Sequence, residues 1–429
     1  MTAAELARLI RDRELSAAEV VDMHLARIDE VNGTINAVVQ IAADRARAEA
    51  QAADEMLAMG SLLGPLHGVP FTAKDNFETA GLVTAIGVVE RAEVVPAADA
   101  TAVARLRRAG AILLGKTNCP EWGAGIETVN ELYGRTNNPY DPARTPGGSS
   151  GGECAIVAAG GSPLGLGSDS GGSLRLPAAW CGVATLKPTA QLVPLTGVLD
   201  DEGPLGALSD PRTQIGPIAR SVADVALTLR LIAGPDGLDA AVPPVAIGDP
   251  DSVELCGLRA GFYTDNGICE PTPETAETVG AAAAALAEAG VELEEILPPA
   301  EGDLTRRIWR SYAGKMPSGE LYRVLRDWDL YRREMLTFLE RFDLLVCPVC
   351  AGPAVAHGDV NKTEVRAAIS YTTPYSLTGW PCAVVRCGWS TEQLPIGVQL
   401  VARSWHDHVA LAAAAYLEQA FGGWEKPPL

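Results

Sequence analysis

Residues 143–188 read ARTPGGSSGGECAIVAAGGSPLGLGSDSGGSLRLPAAWCGVATLKP. Glycines and serines cluster at 147–152, 160–161, 165–167 and 170–173. On its own, such density would describe a flexible linker. Here the clusters alternate with apolar segments, Cys154–Ala159, Pro163–Leu166 and Leu174–Gly182, which a linker has no reason to carry. Glycine at this density inside apolar sequence predicts a tightly packed backbone in special conformations.

Regular elements are predicted on both sides of this stretch. Residues 2–59 read as helices: Leu6, Leu9 and Ile10 recur at helical spacing, and Ser16 with Glu19 three residues on forms a capping box. Val20, Met23, Leu25, Ile28 and Val31 continue that second helix, with Asn32-Gly33 as its predicted end. A third helix is predicted over about 42–59. Gly64 to Asn76 reads as a short buried strand leading into a loop, residues 99–109 as a helix capped by Asp99, and Ala111–Leu114 as a buried strand. Beyond the glycine-rich stretch, strands at Leu258–Tyr263 and Val291–Ile296 flank a helix at about 274–289. Residues 303–341 read as helical. Strands are predicted at Leu344–Cys347, Val384–Cys387 and Gly397–Val401, with a closing helix at 406–421. There is no internal repeat. The alternation predicts an α/β fold, and 429 residues suit one large domain or two smaller ones.

Composition narrows the class. Hydrophobic residues make up 47% and charged residues 21%, which is ordinary for a globular protein with a sizeable core. A net charge of −20 repels phosphate backbones and argues against a nucleic-acid partner. Nine cysteines, an odd number in a large chain, fit free thiols in a reducing compartment better than a disulfide framework. Cys347 and Cys350 form a lone C-x-x-C without a second pair or nearby histidines, a weak metal or redox signal. The N-terminus mixes Glu5, Arg8, Arg11, Asp12 and Arg13 with small apolar residues, so no secretory segment is read there. No apolar run reaches the length of a membrane span, and AAAAALAEA at 281–289 reads as an amphipathic surface helix. The expectation is a cytoplasmic protein with no metal, no cofactor and no membrane partner.

Two phosphate-binding readings fail. Residues 110–117, GAILLGKT, satisfy G-x-x-x-x-G-K-[ST], but Ala-Ile-Leu-Leu wants to be the strand itself, and Asn118-Cys119-Pro120 follows in place of a helix. The stretch reads as a buried strand ending at Gly115. In the run from Gly165 to Ser170, serine stands where a dinucleotide fingerprint needs its third glycine. Two serine-bearing glycine nests remain, GGSSGG at 147–152 and GGS at 171–173, together with Lys74. A serine hydrolase needs a hydroxyl, a base and N–H donors aimed at a developing oxyanion. Of the five histidines, His24 lies in an exposed-looking helix, His67 suits a buried structural role, and His406 and His408 flank Asp407; none of these, nor His357, has the context of a catalytic base. A lysine can serve instead if burial and neighbours lower its pKa far below about 10.4. Lys74 follows the apolar segment Leu66–Phe71, which suits burial.

Residues 143–188 resemble the serine- and glycine-rich signature of the amidase signature family. GPLHGVPFTAKDN (64–76) is similar to the segment holding that family's catalytic lysine, and GAILLGKTNCPEWG (110–123) to the strand and loop after it. DLLVCPVCAGPA (343–354), SLTGWPCAVVRCG (376–388) and LPIGVQLVA (394–402) are similar to further family segments. The resemblance implies a single large domain with a central mixed, twisted β-sheet covered on both faces by helices. Within it, 1–60 would be a helical N-terminal region, 61–235 the catalytic core, 255–342 an α/β and helical substrate-side segment, and 343–429 the return to the core. It implies Lys74 as base, Ser149 as the bridging serine that in the family follows a non-proline cis peptide, and Ser173 as nucleophile. The backbone N–H groups of Ser170, Gly171, Gly172 and Ser173 would form the oxyanion hole. Asp169 and Arg175 are expected to hold the loop, not to do chemistry.

The chain departs from the family pattern in places. Cys347 and Cys350 stand where hydroxyl residues are frequent, Tyr375 and Trp380 bracket the SLTG segment, and residues 197–217 are longer than expected of the glutaminase-type chain of a tRNA amidotransferase. The aromatics Trp122, Tyr133, Trp309, Tyr312, Tyr375 and Trp380 are the candidates for lining a substrate pocket. The function so implied is hydrolysis of a small or medium carboxamide through a seryl acyl-enzyme, by a chain that is a possible homodimer. The alternatives are the glutaminase-type A subunit of a tRNA-dependent amidotransferase and an inactive binding scaffold.

Overall fold

Strands covered on both faces carry apolar or small residues at every position, without alternation. The central strands of this chain follow that pattern except at a few buried polar positions, Lys74, Lys116, Asp169 and Gln214. In the computed structural model, which describes residues 1–199, 212–299, 304–305, 307–308 and 318–429, the strands in chain order are β1 (Val38–Ile41), β2 (Pro70–Lys74), β3 (Ile112–Thr117), β4 (Val129–Asn130), β5 (Gly134–Arg135), β6 (Leu164–Asp169), β7 (Ala184–Lys187), β8 (Gln214–Ala219), β9 (Arg259–Phe262), β10 (Glu292–Glu295), β11 (Leu344–Pro348), β12 (Cys382–Trp389) and β13 (Pro395–Ala402). Every residue of β2, β3, β6 and β8 is buried, so the sheet is covered on both faces there.

Among the described residues, eleven strands form one mixed sheet in the order β1-β3-β2-β6-β8-β7-β12-β13-β11-β9-β10, with β4 and β5 as a separate hairpin. β2 runs parallel to both β3 and β6, and β9 runs parallel to both β10 and β11. The other pairings are antiparallel. The chain is a single domain with this sheet flanked by helices: α1 (Ala3–Arg11), α2 (Ala17–Ile35), α3 (Ala43–Ala58), α4 (Thr101–Arg108), α5 (Gly151–Ala158), α6 (Arg175–Cys181), α7 (Val222–Ile232), α8 (Pro273–Glu288), and the helices Ser318–Leu339, Thr363–Ala368, Thr373–Thr378 and Asp407–Phe421. No helix among the described residues is long and apolar enough to cross a membrane.

Capping side chains fix the N-terminal helices. The Ser16/Glu19 capping box opens α2, and a Thr2/Glu5 box opens α1. Asp224 on α7 accepts hydrogen bonds from the Ala3 and Ala4 N–H groups at 2.7 and 2.9 Å, which ties α1 to α7. Several expectations are corrected. Helix α2 passes Asn32-Gly33 and ends at Ile35 on a left-handed Asn36 (φ 47°); the Asn32 carboxamide instead caps the turn after it, accepting from Ala37 and Val38 N–H, both at 2.8 Å. Residues 38–41, which fall between the second and third predicted helices, form the edge strand β1, because they pair with β3. Asp99 does not cap α4; its carboxylate accepts the Ala80 N–H at 2.8 Å. His24 is buried, because α2 packs against both α3 and α5, and its Nδ1 lies 2.8 Å from Val20 O. Strand β3 continues through Gly115 to Thr117.

Gly115 has a steric reason. A Cβ there would overlap the carbonyl oxygen of Gln40 on β1, so only glycine lets the edge strand close. Gly115→Ala is therefore expected to destabilise the fold by about 1–3 kcal/mol, read as a lower urea midpoint at unchanged slope. A midpoint equal to the wild-type value would refute the close approach.

Candidate active site

Because β2, β3 and β6 are parallel neighbours, their C-terminal ends lie together, where α/β sheets present their ligands. Those ends carry Lys74, Thr117 and Asp169. The Lys74 side chain is 1% exposed, and its Nζ donates to Ser149 Oγ at 2.7 Å and to Ser168 Oγ at 2.9 Å. Ser149 is buried, immediately precedes the N-cap of α5, and follows a cis Gly148–Ser149 peptide. Gly148 packs on the 125–127 backbone, where a Cβ would come within 2.7 Å of Gly125 O.

Ser150 joins the two glycine nests. Its N–H donates to Ser173 O at 3.1 Å, and its hydroxyl donates to Ser168 O at 3.1 Å. Ser173 is partly exposed and stands two residues before α6. The structure thus brings Lys74 and Ser149 into direct contact and binds their loop to the one bearing Ser173.

The 169–175 loop is set by an ion pair. Asp169 and Arg175 are both fully buried, with Arg175 Nε 2.9 Å from Asp169 Oδ2. Burial alone would raise the Asp169 carboxyl, but the Arg175 charge and hydrogen bonds outweigh it and hold the group below the usual carboxylate range. The same carboxylate accepts the Gly172 N–H at 2.7 Å and the Leu174 N–H at 3.1 Å. Gly172 has φ 130°, and a Cβ there would come within 2.6 Å of Thr372 Oγ1. Thr372 Oγ1 in turn donates to Gly171 O at 2.6 Å. Of the four N–H groups expected to face a substrate oxygen, that of Gly172 is therefore already engaged.

Sequence reasoning missed Ser168 and Asn76. Asn76 Nδ2 donates to Ser168 Oγ at 3.0 Å and to Leu199 O at 3.3 Å. A hydroxyl in an otherwise apolar strand, next to its polar C-terminal end, was the signal available for Ser168. The lysine of the false phosphate loop, Lys116, is also buried and lies 3.3 Å from Asp75, with further bonds to Phe77 O at 2.7 Å and Thr84 Oγ1 at 3.2 Å. Burial pulls its ammonium below the usual lysine range, against the Asp75 charge.

The aromatic candidates separate. Trp122 is partly buried at φ 53° and donates its N–H to Ile86 O at 3.0 Å; it packs on Ile86, Val88 and Cys119. A Cβ on its neighbour Gly123 would stand 3.8 Å from Ser149 Oγ, so this corner borders the site. Tyr133 faces β1 and accepts from Gln40 Nε2 at 2.9 Å. Tyr375 and Trp380 are core residues: they stack at 6.4 Å within a cluster that includes Trp328, Tyr331 and Tyr371, and Tyr375 OH lies 2.7 Å from Tyr263 OH. They are buried because the Thr373–Thr378 helix packs against Ser318–Leu339, so neither presents a free surface as a pocket lining would. Trp309 and Tyr312 lie outside the described residues. The Cys347 and Cys350 sulfurs have separate partners, Gln399 Nε2 at 3.3 Å and Gly352 O at 2.8 Å, and no group of three or more metal-binding side chains occurs among the described residues.

The sequence profile described as Amidase matches residues 19–318 and 320–411. The A subunit of glutamyl-tRNA(Gln) amidotransferase from Moorella thermoacetica is 35% identical over 477 aligned positions, covering 98% of this chain and 96% of that protein. The alignment is longer than the chain, so that relative carries insertions which this chain lacks. Among solved structures, a protein from a vestigial complex linked to the origins of an s-triazine catabolic enzyme superposes with TM-score 0.87 at 31% identity, covering 99% of this chain and 100% of the other. The 6-aminohexanoate cyclic dimer hydrolase superposes with TM-score 0.88 at 29% identity, covering 100% and 98%.

Removing one partner of a buried ion pair strands the other charge, at a cost of about 3–5 kcal/mol. Asp169→Asn is expected to lose stability of that order at pH 7 by urea denaturation. The depressed Asp169 pKa also contributes stability that is present above its unfolded value and is lost as pH falls through its folded one. The variant should therefore lose less stability than the wild type between about pH 5 and lower pH, and equal acid sensitivity would refute the pairing.

Proposed function

The chain belongs to the amidase family and is an amide hydrolase, and from that premise we propose that it cleaves a small or medium carboxamide through an acyl-enzyme on Ser173. The observation that carries this reading is the 2.7 Å hydrogen bond from buried Lys74 to Ser149, on a loop bonded to that of Ser173.

In this mechanism Lys74 acts as a neutral amine. It takes the Ser149 hydroxyl proton as Ser149 takes that of Ser173, and Ser173 Oγ bonds to the amide carbon. The developing oxyanion is met by the N–H groups of Ser170, Gly171 and Ser173, since the Gly172 N–H is committed to Asp169. As the C–N bond breaks, the relay returns the proton to the leaving nitrogen. Water then attacks the ester carbon and gives a proton to the relay; as the C–O bond to Ser173 breaks, the relay returns that proton to Ser173 Oγ and the carboxylic product is released. No cofactor enters these steps. Buried thiols such as Cys119, Cys154 and Cys181 support a reducing, cytoplasmic setting.

The comparisons favour a second reading of the same site. The curated relatives, A subunits of glutamyl-tRNA(Gln) amidotransferases, match almost the whole chain, so glutamine would be the amide and partner chains would use the ammonia. The insertions that this chain lacks, and the likeness to the cyclic dimer hydrolase, support the free-standing reading. An inactive scaffold is disfavoured by the intact hydrogen bonds around Lys74.

The purified chain, screened over diverse amides with glutamine included, is expected to turn over at least one of them. Ser173→Ala should lose about 10³-fold or more while keeping the wild-type melting curve. Residual activity near the wild-type level would sink the assignment of Ser173. Turnover confined to glutamine, and dependent on partner chains and ATP, would select the amidotransferase reading.

A further inference from the structure

Glu153 lies on the first turn of α5, four residues after Ser149, and is fully buried. Thr72 Oγ1 on β2 donates to Glu153 Oε1, and Thr117 Oγ1 on β3 donates to Oε2 at 2.7 Å. Both strands belong to the site. Thr72 and Lys74, two residues apart on β2, share one face of the strand. Thr117 is the residue paired with Lys74 across to β3. On the other flank, Gly165 of β6 pairs with Thr72, and a Cβ there would overlap the Glu153 carboxyl. Three strands are thus shaped around this one side chain: two supply a hydroxyl and the third makes room by carrying glycine.

Both hydrogen-bond partners of the carboxyl are hydroxyls. Burial pushes the group up to about 8, against the two threonine hydrogen bonds and the nearby lysines. A buried polar group of this kind is a poor means of stabilising a core, because an apolar side chain would avoid the desolvation cost. Its position shows another use. The segment 149–153 meets the strand of Lys74 at two places, through Ser149 at the lysine and through Glu153 at Thr72.

We propose that Glu153 is a positioning residue for the proton relay: by fastening the 149–153 segment to β2 and β3, it holds Ser149 Oγ at hydrogen-bond distance from Lys74 Nζ. This rests on the relay described under the proposed function. A misplacement of about 1 Å in such a relay is enough to cost on the order of 10²-fold in rate.

The test compares Glu153→Gln, which keeps a planar hydrogen-bonding group of the same size, with Glu153→Ala, which removes the attachment. Three quantities are measured: the rate at which a fluorophosphonate labels Ser173, kcat and KM on an amide that the wild type hydrolyses, and the melting curve. Glu153→Gln is expected to stay close to wild type in all of them. Glu153→Ala should lose on the order of 10²-fold in kcat and in labelling rate, with KM little changed, the pattern of a group that acts on the reacting state alone. Where Glu153→Ala does not fold, Thr72→Val and Thr117→Val each remove one hydroxyl from a similar shape, and each should lower kcat with KM unchanged. The proposal is overturned if the folded alanine or valine variants label and turn over like wild type, or if the glutamine variant is as impaired as the alanine one. A wild-type protein that does not label at Ser173 overturns the relay itself, which is a separate result.

Discussion

The site depends on one ion pair that water never reaches. A buried guanidinium is tolerated only when each of its five N–H groups finds an acceptor. Arg175 meets this condition: Nε and one terminal nitrogen bond the two Asp169 oxygens, and the remaining donors reach Thr372 O, Gln399 Oε1 and Ser376 Oγ, all within 2.9 Å. The partners lie on β6, on β13 and around the Thr373–Thr378 helix, up to 224 residues away in sequence. The pair therefore sets the 169–175 loop and also fastens the first parallel strands to the C-terminal strands. The Asp169 carboxylate, held ionised by Arg175, can then order the Gly172 and Leu174 N–H groups around Ser173.

The Lys74 side is built on a different principle. Its Nζ meets the hydroxyls of Ser149 and Ser168, and the acid four residues beyond Ser149 is also bonded to hydroxyls. One strand away, Lys116 does lie against a carboxylate, that of Asp75. Two buried lysines on neighbouring strands thus stand in different surroundings, Lys116 against the Asp75 carboxyl and Lys74 against the Ser149 and Ser168 hydroxyls.

Much of this was legible in sequence, for local reasons. The glycine nests, the Ser16/Glu19 box, the central strands and the failure of GAILLGKT as a phosphate loop all follow from signals within a few residues. Lys74 could be singled out by the apolar segment before it. What was illegible depends on the order of strands. Ser168 meets Lys74, and Glu153 meets Thr72 and Thr117, only because β2 sits between β3 and β6, an arrangement that chain order does not dictate. The same holds for Tyr375 and Trp380. Their aromatic character fitted a pocket wall equally well, and only the packing of the Thr373–Thr378 helix assigns them to the core. Asp99 was misread because its acceptor role serves the distant Ala80 N–H in place of its own helix.

The Lys116–Asp75 pair has a further consequence at the mouth of the site. Asp75 Oδ2 accepts the Ile86 N–H at 2.9 Å, and Ile86 O accepts the Trp122 N–H at 3.0 Å. Both residues are left-handed, at φ 51° and φ 53°, a conformation that costs a non-glycine residue about 1–3 kcal/mol unless its surroundings impose it. The hydrogen bond to the buried Asp75 carboxyl supplies that constraint on one, and the backbone bond passes it to the other. The turn so imposed delivers Gly123, which has no side chain, to the position beside Ser149 Oγ. The Lys116–Asp75 pair, at the C-terminal ends of β3 and β2, thus reaches through two hydrogen bonds to the turn that borders Ser149.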